Sequence, residues 1–468
     1  MNIPFFFQNI FLFLYRNVFW VIQLFSNCSI FIIHEIIKNT HYNIDHLPLH
    51  LLILTIFIVA IIYIYIKLKY PFWNTQPVYH TYDFWRGWYS EPFLIQSGYP
   101  TKTRFCNFEK IKTIHYLELS DIEKKNTVNL IQSYSIPDES AIHMFNLGNL
   151  DTYMTGQSYT SFISLYFEET FIPLPKSLTM DPLITDQTII DNIRNPIGCI
   201  TSRAVHLYMD NIDHMIYFLD FITVNREKNE INLNISRELI QTHEYNQRKK
   251  NMDTYITEKK VPIQKSIFKK EVGLSEGVIP LVSYTSSLCY IHNERLRKLP
   301  PHFILVPIHR RNIQLLLDFI DISKTKYKCF GIPEVPNLLE LIHSNIIKVF
   351  IIQKGSEIYS VYFFRDSRTQ FENKGALLIL CGSIRNTRSI DLFYMGFLHA
   401  LRNILKQTNI FKILLIERIS QNNEIYERYI NKIVNPLKLI GENQSAYYLY
   451  NYVIPKQPFS AESCFIVF

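Results

Sequence analysis

The chain has 468 residues, enough for two or three domains, and carries a formal net charge of +7 with no long Lys/Arg block. That balance suits an acidic ligand or an anionic membrane surface and argues against a nucleic-acid partner. The seven cysteines (Cys28, Cys106, Cys199, Cys289, Cys329, Cys381, Cys464) are odd in number, scattered and form no CxxC pair, which supports neither a disulfide framework nor a zinc site and favours a reducing compartment.

Apolar residues crowd the start of the chain. Phe5 to Ile33 is apolar but interrupted by Arg16, Gln23, Ser26, Asn27 and Ser29, a pattern open to a span from about Val18, a re-entrant piece or an interfacial helix. Leu51 to Ile66 is free of charge and closed by Lys67 and Lys69. As a helix it is about 24 Å long against a hydrocarbon core of roughly 30 Å. Tyr63, Tyr65 and snorkelling lysines make up the deficit. A buried core helix is the alternative, although no amphipathic period is visible. Residues 1–69 are thus expected to be a membrane anchor of one or two transmembrane helices. The lysines after the span place the remainder on the cytoplasmic face.

After the anchor comes Pro71-Phe72-Trp73-Asn74-Thr75-Gln76-Pro77-Val78, an extended arm with an aromatic pair. From here the pattern alternates between period 2 and period 3.6, predicting a mixed α/β fold. Strands are expected around Val205–Met209, His214–Val224, His302–Pro307, Ile347–Ile352, Ser360–Phe364, Ala376–Ile384, Lys412–Glu417 and Ala446–Pro455. Helices are expected over Ile122–Tyr134, Leu233–Tyr245, Arg311–Asp321, Val335–His343, Ile390–Gln407 and Asn423–Val434. The Lys-rich stretch Tyr245–Lys270 has no clear period and suggests a surface insertion. No GxSxG, HExxH, P-loop or GxGxxG frame occurs, and 13 glycines argue against a Gly-rich phosphate loop.

Several of these runs resemble signatures of the N-myristoyltransferases. The family opens on an aromatic pair followed by x-T-Q-P-V, matched at Phe72, Trp73, Thr75, Gln76, Pro77 and Val78. Its strand motif E-[IV]-N-F-L-C-[VI]-H-K aligns with Phe218-Leu219-Asp220-Phe221-Ile222-Thr223-Val224-Asn225-Arg226, where shape survives and several side chains do not. The basic loop that follows in the family is here Arg226-Glu227-Lys228-Asn229-Glu230, with two acidic groups added. Gly277-Val278-Ile279-Pro280 and Cys289-Tyr290-Ile291-His292 are similar to two further stretches. The closing G-x-G-D-G-x-L-x-Y-Y-L-Y-N-W resembles Gly441-Glu442-Asn443 through Tyr447-Tyr448-Leu449-Tyr450-Asn451-Tyr452, at nearly the family's distance from the last residue.

The resemblance implies a duplicated acyl-CoA N-acyltransferase (GNAT-like) α/β fold behind the anchor. Residues 70–298 would form the acyl-CoA-binding half and 299–468 the peptide-binding half. It implies transfer of a myristoyl group from myristoyl-CoA to the N-terminal glycine amine of a protein, with no permanently bound cofactor and no metal. By carry-over, the amides of Phe221 and Ile222 form an oxyanion hole and the carboxylate ending the chain at Phe468 takes the proton. Pro71, Phe72, Trp73, Thr223, Val224, Arg226 and Lys228 would bind coenzyme A. Asp220, Gly277, His292, Glu442 and Asn443 would meet the peptide, with Asn443 standing where the family has a glycine and suited to positive φ. From the residues alone, the Phe218–Val224 run also fits a plain buried strand, and His292 a hydrogen-bonded core histidine. The altered basic loop supports a second reading: a membrane-anchored pseudoenzyme that binds an acyl chain or a partner without catalysis.

Overall fold

The structure, a computed structural model, describes residues 47–83, 91–136, 141–168, 195–209, 212–225, 229–258, 261–271, 277–292, 296–372, 374–431 and 439–468. The chain forms two compact units, residues 1–74 with 80–84 and residues 75–79 with 85–468.

In the first unit a helix of 23 residues runs from Leu47 to Lys69. Its last lysines lie over tyrosines one turn back, Lys67 at 4.6 Å from the Tyr63 ring and Lys69 at 5.5 Å from that of Tyr65. The side chains of this helix are described from Thr55 onward. Among the described residues no helix is long and apolar enough to cross a membrane, so the span expected over Leu51–Ile66 is not met there. The stretch Phe5–Ile33 lies outside the described residues. Beyond the helix, His80 locks the chain by binding Asp83 through Nδ1 (3.0 Å) and the Trp73 carbonyl through Nε2 (2.8 Å).

Among the described residues the second unit is built mainly on a sheet of fifteen strands. It contains a long hairpin, Pro196–Met209 with Ile212–Val224, joined in parallel to the short strand Ser266–Lys270. Leu439–Tyr450, Val282–Tyr290, Phe411–Glu417, Gly375–Arg385, Glu357–Phe371, Ile347–Lys354 and Phe303–Pro307 continue it in one direction. On the other side, Cys329–Pro333 pairs with Pro196–Met209, and the last strand, Cys464–Ile466, lies parallel to it. Most strands bury residues of both parities because helices cover the faces, giving the near-continuous apolar runs seen in the sequence. The helices begin where their caps dictate. Ser120 and Glu123 form a capping box for Asp121–Tyr134, and Asn146 and Asn149 form one for Leu147–Met154.

The stretch Tyr245–Lys270 is not a surface insertion. Asn229–Glu258 is one helix of 30 residues, followed by the strand Ser266–Lys270. The helix packs on the sheet through a polar stripe, burying Gln241, Thr242, His243, Glu244, Gln247, Arg248 and Asn251. Hydropathy periodicity cannot detect a helix whose inward face is polar.

The opening and closing signatures meet in this unit. Tyr450 donates its hydroxyl to Gln76 Oε1 (2.8 Å), and the Asn451 amide donates to the Pro77 carbonyl (2.6 Å). Asn451 stands at φ 59° and its side chain joins Gln96 and Gln264. The two motifs form a structural clasp.

Candidate active site

The strand Ile212–Val224 is interrupted by a bulge. Cys199 faces Thr223 and Thr201 faces Asp220, so Phe221 and Ile222 together oppose Ile200. Phe221 takes φ 47°, which costs a non-glycine residue about 1–3 kcal/mol unless its surroundings enforce it. Here the enforcing contacts are aromatic: its ring lies 4.9 Å from that of Phe145 and 5.4 Å from that of Tyr153. Ile222 is exposed, and the Phe221 amide donates to Asp220 Oδ1 at 3.0 Å. Bulges lift amides out of the ladder, the property an oxyanion site needs.

Charge gathers beside this bulge. Arg203, only 1% exposed, lies over the rings of Tyr153 (4.6 Å) and Phe218 (5.6 Å). Its nearest counter-charge is Asp220 Oδ2 at 3.7 Å, and none of its three guanidinium nitrogens has a hydrogen-bond partner among the described residues. Burial depresses its pKa, Asp220 opposes that, and Arg365 adds to it. Arg365 donates Nη2 to the backbone oxygen of Phe468. Burial works against the Arg365 charge, but Cys381, Tyr153 and Glu417 outweigh it and raise its pKa. Glu417 in turn holds Lys269 at 2.7 Å, and Lys269 also reaches Glu271 at 2.7 Å.

Phe468 is 1% exposed. Two glycines make its seat. A Cβ on Gly331 would lie 2.6 Å from the Phe468 ring, and one on Gly382 would lie 2.8 Å from both Phe465 and Val467. Phe218 (5.0 Å) and Tyr447 (6.3 Å) close round the same ring. Phe218 links Phe468 to Arg203, so Asp220, Phe221, Arg203, Arg365 and Phe468 form one connected group.

The other expected site residues fall elsewhere. Thr223 and Val224 turn their side chains into the core, with Thr223 Oγ1 3.0 Å from Cys199 Sγ. Arg226 and Lys228 lie outside the described residues. Pro71, Phe72 and Trp73 belong to the first unit, where Phe72 meets Trp73 edge-on at 5.0 Å. Gly277 provides a positive φ of 78° in the turn before Ile279, whose amide binds the Tyr79 carbonyl. Glu442 accepts from Ser287 and Tyr426 (both 2.8 Å), and these bonds lower its pKa. Asn443 is not at positive φ, because it sits in regular strand paired with Ser286. Tyr447 lies five positions beyond Glu442, about 16 Å of strand, so the Glu442 end is remote from Phe468. The His292 amide donates to the Tyr429 hydroxyl (3.0 Å), and its ring stacks on that of Tyr429 at 5.5 Å. It follows Tyr290, which pairs at the opposite end of Phe411–Glu417 from Glu417.

Arg203, Arg365, Lys269 and Glu417 escaped the sequence reading. The available signal was a lone charge inside an otherwise apolar strand, as Arg203 is within Pro196–Met209. An acyl chain would need an apolar tunnel. A cavity of about 170 Å³ does lie under the helix Asn229–Glu258, but Thr160, Asn251 and His115 help line it, which suits water better than an alkyl chain.

No family model and no curated protein matches the chain by sequence. The fold nevertheless aligns with solved structures of Saccharomyces cerevisiae N-myristoyltransferase. One with bound myristoyl-CoA gives a TM-score of 0.60 at 10% identity, covering 85% of this chain and 94% of that one. A second with bound myristoyl-CoA gives 0.61 at 10% identity, covering 85% and 99%. A third, with myristoyl-CoA and inhibitors, gives 0.59 at 10% identity, covering 84% and 92%. At that identity the likeness is one of fold: a mixed α/β, N-myristoyltransferase-like architecture, far diverged in sequence.

Proposed function

We propose that this chain, which has the N-myristoyltransferase-like fold, is an acyltransferase that moves a myristoyl group from myristoyl-CoA to the N-terminal glycine amine of a protein. The observation that carries the reading is the bulge at Phe221–Ile222 joined, through Arg203 and Phe218, to a buried Phe468 held by Arg365. In this reading the thioester carbonyl takes the place that Asp220 Oδ1 now holds on the Phe221 amide, and the amine approaches from the exposed Ile222 side. The resemblance puts the proton acceptor at the Phe468 carboxylate. Residues 70–298 would bind acyl-CoA and 299–468 the peptide. Residues 1–69 would hold the enzyme on the cytoplasmic face of a membrane. The exposed Ile56, Phe57, Ile58, Val59, Ile62 and Ile64 support that attachment.

The test is to incubate the full chain in detergent with myristoyl-CoA and a Gly-initiated peptide, following peptide mass and free coenzyme A thiol together. Equimolar acyl-peptide and thiol, abolished when the glycine amine is acetylated, is the expected result. Thiol without acyl-peptide, or neither, refutes the reading. The second reading, a pseudoenzyme that binds without catalysis, is favoured by one specific observation: Asp220 occupies the Phe221 amide and Arg365 the Phe468 oxygen. Tight myristoyl-CoA binding without transfer would establish it.

A further inference from the structure

We infer that Arg203 is the positioning residue of the oxyanion site: it takes Asp220 off the Phe221 amide and offsets the aspartate's charge while a thioester oxygen is held there. The inference rests on the transferase reading above and leaves the chain-end carboxylate as proton acceptor. Arg203 stands opposite Phe218 and Asp220 opposite Thr201, so the two lie diagonally across one face of the hairpin. Asp220 divides its oxygens between two demands. Oδ1 accepts the Phe221 amide at 3.0 Å, while Oδ2 stops 3.7 Å from the Arg203 guanidinium, short of a hydrogen bond. That guanidinium is 1% exposed, and its Nε, Nη1 and Nη2 have no hydrogen-bond partner among the described residues. A buried cation without hydrogen bonds is costly, and an approach of about 1 Å by Asp220 gives it a charge-assisted pair.

The same movement serves the chemistry. Asp220 on the Phe221 amide occupies the donor that a thioester oxygen needs, and its charge opposes the negative charge that oxygen gains as the amine attacks. Turning Asp220 onto Arg203 frees the amide and sets a guanidinium against that charge. Asp220 has room to turn, since its side chain is 29% exposed. Arg203 is fixed, with its guanidinium on the rings of Tyr153 (4.6 Å) and Phe218 (5.6 Å). Tyr153 also meets the Phe221 ring at 5.4 Å, so one aromatic holds both the cation and the bulge whose amide it controls. Arg365, the other cation that acts on Arg203, is engaged on the Phe468 oxygen, which leaves Asp220 as the counter-charge for Arg203. The strand motif that this segment resembles carries Asn at the Asp220 position, and a neutral amide there makes no such demand for a cation.

The test is Arg203→Met in the full chain beside the double variant Arg203→Met with Asp220→Asn, each assayed with myristoyl-CoA and a Gly-initiated peptide. Methionine fills the buried stem and removes the charge, so Asp220 stays on the Phe221 amide. The expected result is a kcat about 100-fold lower, as when an oxyanion donor is lost, with KM for myristoyl-CoA within about threefold of wild type. The melting temperature should hold or rise, because an apolar side chain replaces a buried cation that lacks hydrogen bonds. The double variant should recover about tenfold of the lost kcat, a coupling that an arginine with a merely structural role would not show. Arg203→Lys, which keeps the charge, should retain more activity than Arg203→Met. Arg203→Met with a kcat within about threefold of wild type, or a double variant no faster than the single one, overturns the inference and leaves the transferase reading standing. A wild-type chain that transfers no acyl group overturns both.

Discussion

Gly331→Ala tests whether the seat of Phe468 matters to the molecule. The added methyl would lie 2.6 Å from Cζ and 2.9 Å from Cε1 of Phe468, and 3.1 Å from Leu207 Cδ1. Carbon atoms in contact sit about 3.5–4.0 Å apart, so the ring has to retreat by about 1 Å. Phe218 and Tyr447 stand behind it, and overpacking of this kind costs about 1–3 kcal/mol. The same shift pulls the Phe468 oxygen off Arg365 and moves Phe218, on which Arg203 rests. A displacement near 1 Å at a reacting centre lowers turnover by about 100-fold. The measurements are thermal melting and kcat for the variant, beside Gly98→Ala, whose Cβ meets nothing within 4 Å. Loss of both stability and turnover in Gly331→Ala alone is expected. Wild-type values for both would refute the argument that this glycine is kept to admit Phe468.

Lys269→Met strands Glu417, 3% exposed, without its partner at 2.7 Å. It should lower the urea-unfolding free energy by about 3–5 kcal/mol, and adding Glu417→Gln should restore most of that. Glu244 is fully buried, and burial pushes its carboxyl up to about 7 against the pull of Arg248. Because the folded value lies above the unfolded one, its contribution is present at pH 4 and is lost as pH rises through 7, by roughly 3 kcal/mol. Glu244→Gln should flatten that slope in urea midpoints taken at pH 5 and pH 8, and a persistent slope would assign it to another group. Asn451→Ala removes the side-chain bonds to Gln96 and Gln264 and leaves a φ of 59° to an alanine. The clasp should open by about 2–4 kcal/mol, seen as faster hydrogen exchange at residues 75–79.

Much of the fold was legible because its helices and strands follow simple periods. Val335–His343 and Ile390–Gln407 were bounded to the residue, the second by Ser389, whose hydroxyl accepts the Leu392 amide. The helix Asn229–Glu258 was cut short because its inward stripe runs Gln241, His243, Glu244, Gln247, Arg248, a pattern hydropathy assigns to solvent. The two end signatures were recognised as sequence, but their physical role, Tyr450 on Gln76 and Asn451 on Pro77, needed the fold to bring residues 374 positions apart together. Within the site, alignment placed Phe221 and Ile222, and the bulge then gave them a shape. It could not reveal Arg203 or Arg365, since neither belongs to a motif and their proximity arises only from strand order in the sheet.

The most direct measurement is a crystal structure of the full chain with myristoyl-CoA bound. The account predicts the thioester oxygen within hydrogen-bonding distance of the Phe221 and Ile222 amides, Asp220 turned off Phe221 toward Arg203, and Phe468 still held by Arg365. A thioester bound elsewhere, with Asp220 still closing the Phe221 amide, would contradict it.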